Sequence, residues 1–281
     1  MIGAILLLAG CEKPSAHPVE AATVSAYRGC TAVRTETSTA LVDGFEPFDG
    51  SVTTTTFDDS GERVRLELSS PNEDRVVDER WQRRPDGQFT VHTRDLGADG
   101  TIDETETAVF EGDLAVRVEI DADGDGVVDA VDALEYDALD RLVTRRTDTG
   151  LDGTTDVTWT GTWDGDSARP LTTLEVEADS ETVETYGYDA ADRLSSYLLE
   201  TTNPFFEFEF EATWEYVGDA VDPSTGSSVQ AFDGDTPVHA ASSYRFDADH
   251  RSIEQVTRYA LTGDPLTFEV ELVAHTEWTC P

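Results

Sequence analysis

In Phe206-Glu207-Phe208-Glu209-Phe210-Glu211 aromatic rings and carboxylates alternate, and Trp214 and Tyr216 continue the aromatic side. Phe268-Glu269-Val270-Glu271-Leu272 does the same and extends to Trp278. Arg63-Val64-Arg65-Leu66-Glu67-Leu68 and Val116-Arg117-Val118-Glu119-Ile120 follow the same rule. A period of two marks strands with one buried face and one wet face. Arg and Glu on the wet face can pair across strands. No stretch shows a helical period. Asp-Gly pairs at 86–87, 99–100, 125–126, 152–153 and 233–234, with Asn203-Pro204, mark the turns between strands. The pattern predicts an all-β chain, an antiparallel meander of roughly 16 strands. Sheets this wide rarely stay flat and open, so the meander is expected to be strongly curled or closed into a barrel-like ring.

The strands repeat. Tyr136-Asp137-Ala138-Leu139-Asp140-Arg141-Leu142 returns 52 positions later as Tyr188-Asp189-Ala190-Ala191-Asp192-Arg193-Leu194. Looser copies are Phe246-Asp247-Ala248-Asp249-His250-Arg251 and Phe57-Asp58-Asp59-Ser60-Gly61-Glu62-Arg63-Val64. With half-period relatives at Phe110 and Trp163, the unit is about 26 residues: a strand ending in an aromatic, a tight acidic turn, a strand with Arg, a second acidic turn. The Asp after the aromatic is expected to cap the turn. The residue three positions later is expected to take the left-handed conformation. The motif resembles the YD repeat of Rhs-type and teneurin-like proteins, roughly Tyr-Asp-x-x-Gly-Arg-Leu. Asp140 and Asp192 stand where that pattern has Gly. The resemblance implies a β-meander that spirals into a shell, and what carries over is the architecture, not the encapsulation of cargo.

The chain has 281 residues, 19 Lys plus Arg against 59 Asp plus Glu, and a net charge of −40. That balance excludes charge-driven binding of nucleic acid or anionic membranes, which need cationic surfaces. An acidic surface suits salty surroundings or keeps an exported protein soluble, and bound divalent cations would relieve its self-repulsion.

Residues 1–10 read MIGAILLLAG and precede Cys11. Leu8-Ala9-Gly10-Cys11 resembles the lipobox of bacterial lipoproteins, which implies cleavage before Cys11 and a lipid on its sulfur. No basic residue precedes Cys11, a departure from the usual signal peptide, which suggests a true start upstream. Residues 1–10 are then a signal peptide, 11–27 a lipidated tether and 28–281 the β domain. The protein is expected to be exported and lipid-anchored to the cell envelope, at the outer membrane or cell surface. Cys30 and Cys280 remain as an even pair in an oxidising compartment. Bonded, they would make the first and last strands neighbours.

Asp121-Ala122-Asp123-Gly124-Asp125-Gly126-Val127-Val128-Asp129-Ala130-Val131-Asp132 places Asp at loop positions 1, 3, 5, 9 and 12, with Gly126 at the sharp turn. It resembles the calcium loop of EF-hand, dockerin and thrombospondin type 3 modules. The resemblance implies a structural Ca²⁺ on Asp121, Asp123, Asp125, Asp129 and Asp132. Position 12 is Asp rather than Glu, and the flanks read as strands. The weaker relatives begin at Asp95 and Asp148. The alternative reading is that all three are Asp-Gly turns.

The five histidines show no zinc-like spacing, and no nucleophile, phosphate or dinucleotide motif is present. Glu207, Glu209 and Glu211 read as a solvated face rather than glycosidase carboxylates. A transmembrane barrel is the structural rival, but the acidic, Arg-studded second face does not demand it. The expected function is a non-enzymatic cell-envelope lipoprotein, a structural or interaction module whose partner is an unknown envelope protein or polysaccharide. The rival is a carrier for a small apolar ligand inside the curled sheet.

Overall fold

The computed structural model describes residues 29–40, 51–58, 63–69, 74–84, 88–217, 222–232, 236–261, 268 and 270–281. The signal-peptide, lipobox and tether expectations, Cys11 included, lie outside the described residues. Eighteen strands follow one another: β1 Thr31–Ala40, β2 Val52–Phe57, β3 Arg63–Ser69, β4 Asp74–Arg83, β5 Phe89–Leu96, β6 Glu104–Glu111, β7 Leu114–Asp121, β8 Ala130–Tyr136 and β9 Leu142–Thr149. They continue as β10 Val157–Trp163, β11 Pro170–Glu177, β12 Ser180–Tyr188, β13 Leu194–Asn203, β14 Phe206–Glu215, β15 Thr225–Phe232, β16 Val238–Phe246, β17 Ser252–Ala260 and β18 Val270–Thr279.

Every strand pairs antiparallel with its neighbours in sequence, and β1 pairs with both β2 and β18, so the meander closes into a barrel. The expected all-β ring is therefore present, with two more strands than the alternation counted. The β1–β18 seam runs for ten residue pairs, Thr31↔Thr279 to Ala40↔Val270. At one end of it Cys30 and Cys280 form the expected disulfide, with Cα atoms 4.2 Å apart. Turns on this rim join even-numbered strands to the next odd one. The disulfide stands where the last such turn, from β18 back to β1, would lie.

Local chemistry explains the rim. The Asp137 carboxylate accepts the backbone N–H of Leu139 and of Arg141, and Arg141 Nε–H at 2.7 Å. Asp189 does the same with Ala191 and Arg193, and Asp247 with Asp249 and Arg251. The residue three positions on has positive φ in each copy: Asp140 60°, Asp192 64°, His250 63°. The turn thus imposes a left-handed residue, which is why Gly suits this position.

These arginines, Arg141 with Trp163 at 5.6 Å among them, and Arg169 just ahead of β11 reach sideways to an aromatic ring of the next hairpin. Arg193 lies 4.2 Å from the ring of Tyr216, Arg169 lies 5.3 Å from that of Tyr188, and Arg251 lies 5.7 Å from that of Trp278. The aromatics donate in turn to the first carbonyl of the preceding strand: Tyr216 to Leu194, Tyr188 to Pro170, Trp278 to Ser252. A row of cation–π contacts and hydrogen bonds ties hairpin to hairpin along this rim.

Cross-strand partners share a face, so the inner wall can be followed from Val77 through Leu66, Thr55 and Ala32 to Trp278. Ala260 apart, the buried apolar strand residues lie on this face, and most are alanines. Larger inward side chains, among them Leu66, Trp81, Leu199, Phe210 and Trp214, are only half-buried. The reason is size. A circular ring of 18 strands, about 4.8 Å apart and tilted about 40°, is on the order of 36 Å across. Side chains line such a lumen without filling it. The outer face carries Thr, Glu and Arg, as in Arg65, Asp78, Arg117, Glu135, Arg146 and Glu209. That composition is not the apolar band lipid requires.

Candidate functional site in the barrel lumen

The inner wall is polar in places where a packed core would be apolar. On β4, the period of two that turns Val77 inward also turns Glu79 and Trp81 inward. Their neighbours on β5 and β6 are His92, Arg94, Glu104 and Glu106. His92 is 2% exposed and Glu79 is 4% exposed. The Trp81 indole stacks on the His92 ring at 3.6 Å. His92 Nε2 lies 3.7 Å from Glu79, and Nδ1 lies 3.7 Å from Glu106. Nε2 makes no hydrogen bond at these distances. Arg94 binds Glu104 at 2.6 Å and faces Glu79 and Glu106 at 3.7 Å each.

This setting shifts two titrations. Burial opposes the charge on His92, but Glu106 and Glu79 on either side outweigh it, and the imidazole is raised above its ordinary value. Glu106 is held low, chiefly by His92 and against its own burial.

A second inward group is centred on Glu184 of β12. The strand sequence Thr182-Val183-Glu184-Thr185-Tyr186 puts Glu184 and Tyr186 on one face. Tyr197, opposite Tyr186 on β13, completes the group. The carboxylate accepts the hydroxyls of Thr173, of Tyr186 at 3.1 Å and of Tyr197 at 2.9 Å. Burial and the charge on Glu184 push both phenols well above their ordinary range, so they stay neutral donors. Rings continue beyond it: Tyr186 to Tyr197 at 5.4 Å and Tyr197 to Phe210 at 6.2 Å.

The acidic loops sit on the opposite rim. Asp121, Asp123 and Asp129 bring one oxygen each within 4.8 Å of one another. Asp125 is outside that group, and its carboxylate accepts Val127 N–H. Asp132 lies further along, on β8, faces inward and accepts Thr147 Oγ1–H. Gly126 makes the sharp turn with φ 85°. Gly124 packs so close to the neighbouring loop that a Cβ there would meet Ile102 O at 1.9 Å. In all three loops the first Asp accepts two backbone amides: Asp95 those of Asp99 and Gly100, Asp121 those of Gly124 and Gly126, Asp148 those of Asp152 and Gly153. The Asp95 and Asp148 loops share one turn, with amides from positions four and five residues on and left-handed residues at Gly97, Ala98, Gly100 and Gly150, Leu151, Gly153, whereas Asp121 takes the amides three and five residues on and only Gly124 and Gly126 are left-handed.

Glu207, Glu209 and Glu211 are exposed on the outer face of β14, as their alternation implies. Neither inward group was singled out from the sequence. The signal was a charged residue on the apolar side of a strand, as with Glu184 one step from Tyr186.

No family model and no curated protein matches this chain. Among solved structures it is similar to a porin-like protein from Bacteroides uniformis ATCC 8492, at 10% identity over 95% of this chain and 100% of that chain, with TM-score 0.43. It is also similar to a porin-like protein from Bacteroides vulgatus ATCC 8482, at 10% identity over 77% of this chain and 98% of that one, with TM-score 0.33. A third is TcdB2-TccC3 without its hypervariable C-terminal region, at 12% identity over 83% of this chain and 15% of that one, with TM-score 0.28.

Proposed function

We propose that this chain is a non-enzymatic cell-envelope lipoprotein whose barrel works through its inner wall, as a holder for a small ligand with a substantial apolar part. One observation carries the reading: large inward side chains from β3, β13 and β14 remain half-buried, with their apolar surface still open to a guest. The polar outer face supports a barrel that stands in water and is tethered, not inserted. Gly29 and Cys30 lie at the Tyr-Asp rim, so a lipid on Cys11 would hold that rim toward the membrane. The acidic loops would then face away, with Asp121, Asp123 and Asp129 as ligands for a structural Ca²⁺. The structural or interaction role is the second reading, favoured by Phe205, which is 92% exposed at the tip of the β13–β14 turn.

Two measurements test this. Metabolic labelling with a clickable fatty acid should tag the wild type in its native host, and Cys11→Ser should remove the tag. An environment-sensitive apolar fluorophore should brighten with the purified barrel, and Phe210→Glu should abolish the brightening. An unlabelled wild type overturns the lipid anchor, and an unresponsive dye overturns the lumen as a holder.

A further inference from the structure

Resting on the reading of the lumen as a ligand holder, we propose that the guest is an organic cation whose ammonium group sits against Glu184, Tyr186, Tyr197 and Phe210. The argument begins with charge. Inward carboxylates are generally paired: Glu36 with Arg34, Glu79, Glu104 and Glu106 with Arg94, and Glu175 with Arg145. Glu184 has hydroxyl partners only, and no ion pair to it forms among the described residues. Its negative charge is held in place by three neutral donors and left without a counter-charge.

The surroundings then select the cation. Three of the carboxylate's acceptor positions are taken by hydroxyls, and among the described residues Glu184 belongs to no group of three or more metal-ligating side chains, so a hard metal ion lacks the oxygen shell it needs. Aromatic rings attract the diffuse charge of an alkylated ammonium through their faces. Tyr186, Tyr197 and Phe210 form a continuous run of such rings beside the charge. Leu199, across from both Glu184 and Phe210, adds apolar surface for an alkyl group. Inward Asp132, to which no ion pair forms among the described residues either, accepts the Thr147 hydroxyl and otherwise has aliphatic neighbours: Val118 across and Ala130 and Leu134 along its strand. It offers charge without rings.

The test compares choline with its neutral carbon isostere, in which a tert-butyl group replaces trimethylammonium. Binding to the full barrel is read by calorimetry at high salt, which screens the general field of the acidic surface. Choline should bind at least about 10-fold more tightly than the isostere. Glu184→Gln should bring the two to parity, while Glu209→Gln on the outer face should leave the preference intact. Phe210→Leu, which keeps Glu184 and its hydroxyls, should weaken choline about 3-fold and provides a second reading if Glu184→Gln fails to fold. Equal binding in the wild type, or an equal loss in Glu209→Gln, overturns the cation site. If the apolar fluorophore still brightens in that case, the lumen remains a ligand holder. If nothing binds, both readings fall.

Discussion

Asp140 is held at φ 60° by a turn that its own motif builds. A left-handed residue with a Cβ is strained, and Asp tolerates the position better than branched side chains do. Asp140→Val should therefore cost roughly 1–2 kcal/mol in urea unfolding, whereas Asp140→Gly should be neutral or stabilising. His92 gives a pH prediction. Its value is raised in the fold, so its contribution is complete below the ordinary imidazole value of about 6.5 and is lost as pH climbs through the raised one. Glu106 is lowered, so its contribution is complete above the ordinary carboxyl value of about 4.3 and is lost as pH falls through the lowered one. The stability difference between wild type and His92→Gln should be largest between those ordinary values, by about 1 kcal/mol relative to pH 9. A difference that does not change with pH would show that His92 acts by packing on Trp81 alone. The acidic loop adds one more check: Ca²⁺ should raise the unfolding temperature, and Asp123→Ala should remove that rise. An unchanged temperature would leave the loop as a turn held by its own amides.

Strands are joined here in two ways, by the ladder between neighbours and by the arginine–aromatic contacts between hairpins. Arg193→Lys keeps the charge but loses the planar fork that holds Asp189 while covering Tyr216. It should destabilise nearly as much as Arg193→Ala, by about 1 kcal/mol from the ring contact. Full rescue by Lys would reduce the contact to simple charge. These elements were legible where sequence and geometry agree. The alternation of β14 and the Tyr-Asp copies named the strands, their faces and the left-handed turn residues. The repeat copy at Phe57 placed the end of β2, but the faces of two kinds of strand were not legible. β1 and β2 are threonine-rich, and Thr suits either face, so Val52-Thr53-Thr54-Thr55-Thr56-Phe57 shows no binary pattern. β4 turns Glu79 inward between Val77 and Trp81, which hides its apolar side. The same inward charges form the candidate sites, so the places where patterning fails are also where the inner wall departs from a core.

For the whole barrel, closure is shared between the β1–β18 ladder and one covalent bond. The disulfide links residues 250 positions apart, and in the chain-entropy model such a loop contributes on the order of 5 kcal/mol. Cys30→Ser with Cys280→Ser should lower the unfolding midpoint markedly yet retain the β-sheet circular dichroism of the native barrel, because ten residue pairs still join the seam. Loss of sheet signal at room temperature would mean that the bond, not the ladder, closes the ring. Because the bond occupies the place of one more hairpin turn, the ring has no structurally privileged beginning. Ribosomal order dictates where synthesis starts, but the finished circle would accept a peptide linker in place of the sulfurs and a cut at another turn, such as the one at Gly112-Asp113. A circular permutant opened there should fold to the same barrel. For the lipid-tethered form proposed above, re-cutting the gene would move the point of attachment around the rim without redesigning a strand.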